Sequence, residues 1–127
     1  MIPKSHEDLL TKPIFAHLAT IGPDGGPQVN PVWTIWDGEY LRFTTTRDRR
    51  KHLNVVANPT VAVSLHDPDK SYRHLEIRGV VDRIEDDPDG EFFDVLATRY
   101  GLAYDRPIGD AARRVILVVR PTRTTSQ

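Results

Sequence analysis

A strand gives way to a helix within the stretch Thr44-Thr45-Thr46-Arg47-Asp48-Arg49-Arg50-Lys51-His52-Leu53-Asn54. Apolar residues precede it with strand-like alternation, and apolar residues follow at helical spacing up to Ala57. The junction combines threonine hydroxyls, the cations Arg49 and Lys51, and the unpaired backbone N–H groups of a helix start. This chemistry suits an anion, and phosphate is the natural ligand. The alternative interpretation is a solvated, charged helix start without a ligand.

Composition narrows the classes of protein to which the chain can belong. Its 127 residues suffice for one domain with a core, so we predict a single domain over residues 1–127. The 17 basic and 18 acidic side chains nearly balance, which argues against nucleic acid or an anionic membrane as a partner. The chain has no cysteine, and its histidines lack ligand spacing, so we predict no metal site. No segment approaches membrane-spanning length, and we expect a cytoplasmic protein.

Most of the remaining chain has the pattern of short strands separated by turns. The predicted strands are Ile14–Ile21, Gln28–Trp36, Tyr40–Thr46, Thr60–His66, Leu75–Val81 and Arg113–Arg120. The first three should form a meander, and the last, a continuous apolar run, should be buried on both faces. Helices are predicted at Leu9-Leu10, as an arm or lid, over Arg49–Ala57 and from Asp86 to Gly101. The pattern predicts a mainly β fold, a small antiparallel barrel of about six strands with two or three short helices.

Pro31 interrupts the hydrogen-bonding pattern of the second predicted strand, because proline has no N–H to donate to a ladder. The segment should therefore be an edge, a bulge or a surface that meets something other than a strand. Asn30, Pro31, Val32 and Trp33 form a candidate ligand face, whose free backbone groups and indole ring suit a flat heterocycle. The alternative places the tryptophans in the core or in a dimer interface. We prefer that alternative for Trp36, and both stay open for Trp33.

The ordered set of segments resembles the split-barrel flavin and deazaflavin reductases, which are relatives of pyridoxamine 5′-phosphate oxidase. The resemblance rests on Ala19-Thr20-Ile21 before the Gly-rich turn, Pro27–Trp33, Asp37-Gly38, Leu41–Thr45, Arg49–Asn54, Asn58-Pro59, Glu76–Val81 and Val115–Arg123. Within this family the chain is most similar to the actinobacterial branch that binds coenzyme F420. The resemblance implies a six-stranded antiparallel split β-barrel, the FMN-binding split barrel, and a homodimer with the cofactor at the subunit interface.

The resemblance also implies which residues bind the cofactor. The Arg-x-Lys pair that grips the cofactor phosphate in the family falls on Arg49 and Lys51, and the family's following asparagine falls on Asn54. The strand beside the ring system falls on Asn30 to Trp33. The strand end near the ribityl chain and the phosphate falls on Thr44, Thr45 and Thr46. Cations that could meet the acidic tail of F420 are Arg50, Arg42, Arg47 and Lys12.

The activity implied by the resemblance is hydride transfer from reduced coenzyme F420 to a small unsaturated or electron-poor acceptor. Because the cofactor performs the chemistry, no catalytic side chain is assigned, and Tyr72, His74 and His17 are only candidate proton donors. Two alternatives remain: an FMN-binding oxidoreductase of the same fold, and a non-enzymatic F420-binding or carrier protein. The acidic cluster from Asp86 to Glu91 is interpreted as a helix cap and not as a hydrolase site.

Overall fold

Seven strands form one antiparallel sheet in the computed structural model, which describes all 127 residues. The strands are β1 (Ala16–Ile21), β2 (Pro27–Val32), β3 (Ile35–Trp36), β4 (Leu41–Thr46), β5 (Thr60–His66), β6 (His74–Asp86) and β7 (Arg114–Ser126). The helices are α1 (Asp8–Thr11), α2 (Arg50–Ala57) and α3 (Glu91–Tyr100), with 3₁₀ turns at Lys4–His6 and Ala111–Arg113. The predicted split barrel is confirmed, with seven strands instead of six. None of the helices is long and apolar enough to cross a membrane.

The order of the strands corrects the predicted meander. The sheet runs β2-β1-β5-β6-β7-β4-β3, so β2 and β3, which are consecutive in the chain, lie at opposite edges. The predicted strand over residues 28–36 is wrong in its middle, because it breaks at Trp33 and Thr34. Its first half pairs with β1 and its second half with β4. Pro31 lies in β2, an edge strand, as the missing N–H predicts.

The core is built from the residues that alternate along the long strands. Fully or almost fully buried side chains include Leu18, Phe43, Val63, Leu65, Leu75, Ile77 and Leu117. Leu9 and Leu10 of α1 belong to the same cluster and are 0% and 2% exposed. The predicted arm or lid is therefore wrong, because α1 contributes its leucine pair to the core and packs against β3 and β5. In the apolar run from Val115 to Val119, four residues are buried and Ile116 is partly buried, so the predicted burial on both faces is confirmed except at Ile116.

The predicted start of helix α3 at Asp86 is wrong, because β6 extends to Asp86 and the helix begins at Glu91, after Gly90 with a positive φ of 68°. Its end at Tyr100, just before Gly101, is as predicted. The Asp87 carboxylate accepts hydrogen bonds from the backbone N–H groups of Phe92 and Phe93, both at 3.1 Å. At the other end Gly101 adopts a positive φ of 77°, which residues other than glycine rarely adopt. The predicted capping role of the acidic cluster is confirmed for Asp87.

Gly79 offers a test of the pairing between the two longest strands. It lies beside a register shift between β6 and β7, and a Cβ atom there would lie 2.8 Å from both Arg120 O and Val119 Cγ1. Because the carbonyl belongs to the adjacent strand, relief of this clash would disturb the ladder. We expect Gly79→Ala to lower the free energy of unfolding by about 1–3 kcal/mol in urea denaturation. The control is Gly109→Ala, whose new Cβ would meet nothing within 4 Å, and equal stability of the two variants would contradict the prediction.

Candidate functional site

A cavity of about 360 Å³ opens where β4 gives way to α2. Its lining residues come from five strands and helices and from the segments beside them: Phe15, Asn30, Pro31, Val32, Trp33, Thr44, Arg49, Lys51, Phe93 and Arg114. The lining contains three cations and three aromatic rings. The cations and the rings come into contact at Arg114, whose guanidinium carbon lies 4.5 Å from the centroid of the Phe93 ring.

Seven of the eleven predicted cofactor-binding residues line this cavity. They are Asn30, Pro31, Val32, Trp33, Thr44, Arg49 and Lys51. The fold therefore brings the predicted ligand face of β2 together with the predicted phosphate site at the start of α2. Their contact with a cofactor stays a prediction.

Lys51 has the most unusual environment in the cavity. Only 8% of the residue is exposed, and none of the chain's ion pairs involves Lys51 or Arg49. Burial lowers the pKa of the Lys51 ammonium, and the nearby positive charges of Arg49 and Arg114 lower it further. No side chain caps the N-terminus of α2, whose first residues include Lys51. The arrangement is complementary to an anion, and Lys51, a largely buried residue whose ammonium has no anionic partner, is the residue that most needs one.

Arg114 is a member of the cavity that the sequence analysis missed. It is 5% exposed and makes a two-bond ion pair with Asp110, with N–O distances of 2.8 and 3.0 Å. This contact holds the pKa of the Asp110 carboxyl below its ordinary value. A further nitrogen of Arg114, Nη1, donates to Thr44 Oγ1 at 3.3 Å. The only hint in the sequence is an arginine at the start of a buried strand, and its neighbourhood depends on the pairing of β4 with β7.

Four predicted residues lie elsewhere. Thr45 is fully buried, and its hydroxyl has no hydrogen-bond partner. The Thr46 hydroxyl bonds the Asp48 carboxylate, which lowers the pKa of that carboxyl. Asn54 and Arg50 line a separate cavity beside the turn at residues 22–26.

Asn54 has a structural role in this arrangement. Its Nδ2 group donates to Thr20 Oγ1 at 3.0 Å and to Gln28 Oε1 at 3.1 Å, while its Oδ1 atom has no partner. These bonds tie α2 to β1 and β2. They fix the helix whose first turn carries the buried lysine.

The other predicted cations are engaged within the chain. Arg42 pairs with Asp37, Arg47 pairs with Asp86 at 3.2 Å, and Lys12 lies 3.8 Å from Asp8. The three candidate proton donors, Tyr72, His74 and His17, do not line the cavity. No group of three or more histidine and acidic side chains is placed to hold a metal ion.

The two tryptophans have different environments. Trp36 is partly buried against the hydrophobic core, as predicted. Trp33 lines the cavity, and its ring stacks on that of Tyr100 with a centroid distance of 5.4 Å and an interplanar angle of 12°. Trp33 therefore contributes to both the packing and the candidate site.

A comparison with protein families decides the classification of the chain. The family model described as pyridoxamine 5′-phosphate oxidase matches residues 2–127. The chain belongs to the pyridoxamine 5′-phosphate oxidase family. A curated member, the pyridoxine/pyridoxamine 5′-phosphate oxidase of Cupriavidus metallidurans, is 32% identical over 78 residues. The match covers 61% of this chain and 36% of that oxidase, so the chain spans little more than a third of the curated relative's length.

Solved structures of other proteins are similar to this chain in fold. An F420 reductase is 52% identical, with a TM-score of 0.96, and the match covers 99% of this chain and 100% of that one. The Mycobacterium tuberculosis protein Rv2991 is 26% identical, with a TM-score of 0.74 and coverage of 99% and 84%. HupZ of Group A Streptococcus, at 18% identity, a TM-score of 0.68 and coverage of 99% and 94%, shares the fold. The predicted family is confirmed, and membership supports an oxidoreductase related to the flavin and F420 enzymes.

Lys51→Met tests whether the positive charge of Lys51 destabilises the unliganded protein. Methionine has a similar length and no charge, so the variant avoids both the desolvation cost and the repulsion from two arginines. We expect it to raise the free energy of unfolding by about 1 kcal/mol in a buffer free of multivalent anions. The control is Lys70→Met in the exposed loop after β5, which should have no comparable effect. A destabilised Lys51→Met variant would contradict the prediction.

The lowered pKa of Lys51 also sets the sign of a pH dependence. Between the lowered pKa and the ordinary value of 10.5, the unfolded chain holds a proton that the folded protein has released. The free energy of unfolding therefore gains a contribution that rises with pH across this window. We expect the difference between Lys51→Met and the wild type to shrink as the pH rises through the window. A difference that is independent of pH would mean that Lys51 titrates as an ordinary lysine.

Proposed function

We propose that this protein is an F420-dependent reductase, which transfers a hydride from reduced coenzyme F420 to a small unsaturated or electron-poor acceptor. The observation that carries the proposal is that Lys51, a largely buried lysine without an ion-pair partner, lies in the same cavity as the aromatic face around Trp33. A cation of this kind calls for an anion, and the rings suit a flat heterocycle. The 52% identity with an F420 reductase favours the deazaflavin among such ligands.

The residues at the start of α2 fit a cofactor phosphate. Arg49 would contribute a two-bond contact to phosphate oxygens, and Lys51 would contribute a compact charge. The Thr44 hydroxyl and the remaining N–H groups of Arg114 lie on the same cavity wall. Because Arg114 is already neutralised by Asp110, the net charge that attracts the phosphate comes from Arg49 and Lys51.

The other end of the cavity fits the ring system. Pro31, Val32 and Trp33 supply an apolar edge, and Phe15 and Phe93 add two further rings. When bound, reduced coenzyme F420 supplies the hydride. The task of the protein is then to hold phosphate and ring in fixed positions and to keep water from the reacting face.

We further propose that a second copy of the chain completes the site. The outer faces of β2, β1 and β5 carry no lysine, arginine, aspartate or glutamate and consist of Pro27, Val29, Pro31, His17, Ala19, Ile21, Thr60, Ala62, Ser64 and His66. Val29 is 62% exposed at the centre of the edge strand. The face reaches the cavity at Pro31, so a chain packed on it would also cover the open side of the site.

Val29→Arg tests this homodimer. A charge at the centre of the uncharged face should prevent association, because it would be buried without a partner. We expect the wild type to sediment as a dimer and Val29→Arg as a folded monomer with weaker F420 binding. Val95→Arg, at an exposed position of α3, should remain a dimer. A monomeric wild type, or a dimeric Val29→Arg variant, would contradict the proposed interface.

The cofactor itself is tested by titration of the purified protein with oxidised F420 and, separately, with FMN. Tight binding of F420 and weak binding of FMN would support the proposal and justify a screen of quinone and nitro acceptors with reduced F420. Preference for FMN would favour the FMN-binding oxidoreductase. Tight F420 binding without turnover of any acceptor would favour the carrier protein, and binding of neither would contradict all three.

Removal of either cation should weaken cofactor binding without unfolding the protein. We expect Arg49→Ala and Lys51→Ala each to cost about 1–3 kcal/mol of binding free energy, measured by calorimetric titration with oxidised F420. Lys70→Ala, in a loop away from the cavity, serves as the matched control. Unchanged affinity in both cavity variants would exclude this phosphate site.

A further inference from the structure

The barrel has an open seam where the chain crosses from β2 to β3. These strands lie at opposite edges of the sheet, and no ladder joins them. The crossing consists of Trp33 and Thr34, and Thr34 is only 1% exposed. Its backbone N–H and C=O groups are therefore buried without strand partners and need hydrogen bonds from elsewhere.

The last turn of α3 supplies these bonds. The Thr34 N–H group donates to the Tyr100 hydroxyl at 3.1 Å. The Thr34 carbonyl accepts from Arg99 Nε at 3.1 Å and also lies 3.2 Å from the Tyr100 hydroxyl. That hydroxyl has Ile14 O within donating distance at 2.7 Å. The side chains of Arg99 and Tyr100 thus provide the hydrogen bonds that a neighbouring strand would otherwise provide at the seam.

Arg99 links the seam to the N-terminal helix with the rest of its guanidinium. It donates to the carbonyls of Leu10, Thr11 and Lys12 at 2.9, 3.2 and 2.7 Å. These carbonyls lie at the end of α1, just before the segment that leads to Phe15. No carboxylate pairs with Arg99, so its donors are committed to backbone oxygens.

Tyr100 also supports the aromatic wall of the cavity directly. Trp33 stacks on its ring, as described above, and the centroid of the Phe15 ring lies 5.6 Å away. Trp33 and Phe15 line the cavity, whereas Tyr100 and Arg99 do not. The pair therefore fixes two cavity residues without reaching the cavity itself.

We propose that Arg99 and Tyr100 are positioning residues for the cofactor ring, acting through Trp33 and Phe15. This inference rests on the proposed function, because it assigns the aromatic wall to the ring. The start of α2 at the phosphate end is held by other contacts, which include its Asn54 anchor and involve neither Arg99 nor Tyr100. Loss of the Arg99 or Tyr100 hydrogen bonds at the seam should therefore weaken binding of the ring and leave binding of the phosphate unchanged.

Tyr100→Phe separates these two effects, since it keeps the stacked ring and removes the hydroxyl. The probes are the deazaflavin core of F420 with its ribityl chain but no phosphate, and inorganic phosphate alone. We expect affinity for the core to fall about tenfold and affinity for phosphate to change less than about twofold. Arg99→Lys keeps the charge but not the forked donor set, and it should show the same split. Tyr72→Phe, at an exposed tyrosine, is the matched control.

A second measurement reports on the wall without any ligand. Trp36→Phe leaves Trp33 as the only tryptophan, because the chain contains two. In that background Tyr100→Phe should increase the quenching of Trp33 fluorescence by acrylamide, and Tyr72→Phe should not. Equal losses for both probes, or unchanged core affinity with unchanged quenching, would overturn the inference. If the wild type binds neither probe, the proposed function fails. In that case increased quenching in the Tyr100→Phe variant would still support the positioning of Trp33, and unchanged quenching would refute it.

Discussion

The break at Trp33 and Thr34 is the constraint on which the rest of the structure depends. It sends one predicted strand to both edges of the sheet, so the barrel stays open along a seam. An open seam leaves backbone groups that the ladder cannot satisfy, and the end of α3 satisfies them. The same opening exposes one side of Trp33 to the cavity. The departure from regular strand pairing and the aromatic face of the site therefore have one cause.

The cationic end of the site follows from a different arrangement. Helix α2 is held by Val55 in the core and by Asn54, which bonds residues of β1 and β2. This anchoring keeps Lys51 buried although no carboxylate compensates its charge. A ligand anion would offset both the desolvation and the repulsion from the neighbouring arginines. The unliganded protein thus carries an electrostatic cost that binding can remove, a property expected of a binding site and unusual in a purely structural helix start.

Local sequence patterns predicted the elements whose signals are local. The strand Thr60–His66 has the predicted bounds, because a segment with the β-branched residues Thr60, Val61 and Val63 lies between Pro59 and the Asp67-Pro68 turn. The break at Trp33 was missed, because residues on both sides have strand-like character and only distant pairing decides which edge each half joins. The predicted arm at α1 is wrong, because its adjacent leucines are buried in the core.

The candidate site was predictable where it is continuous in sequence and unpredictable where it is assembled by pairing. Arg49 and Lys51 share one helix start with the residues of the family pattern, so the resemblance identified them. Arg114 approaches Thr44 from 70 positions away, through the register of β7 against β4, which no local pattern encodes. The burial of Lys51 could not be predicted from the local sequence either, because it depends on residues that other strands bring to the cavity.

The most direct test of this account is a crystal structure of the protein with oxidised coenzyme F420. On this account we expect the phosphate between Arg49 and Lys51, the ring against Trp33, and a second chain over the open side of the cavity. A phosphate bound instead in the separate cavity beside Arg50 and Asn54, with the aromatic wall free of the ring, would contradict it.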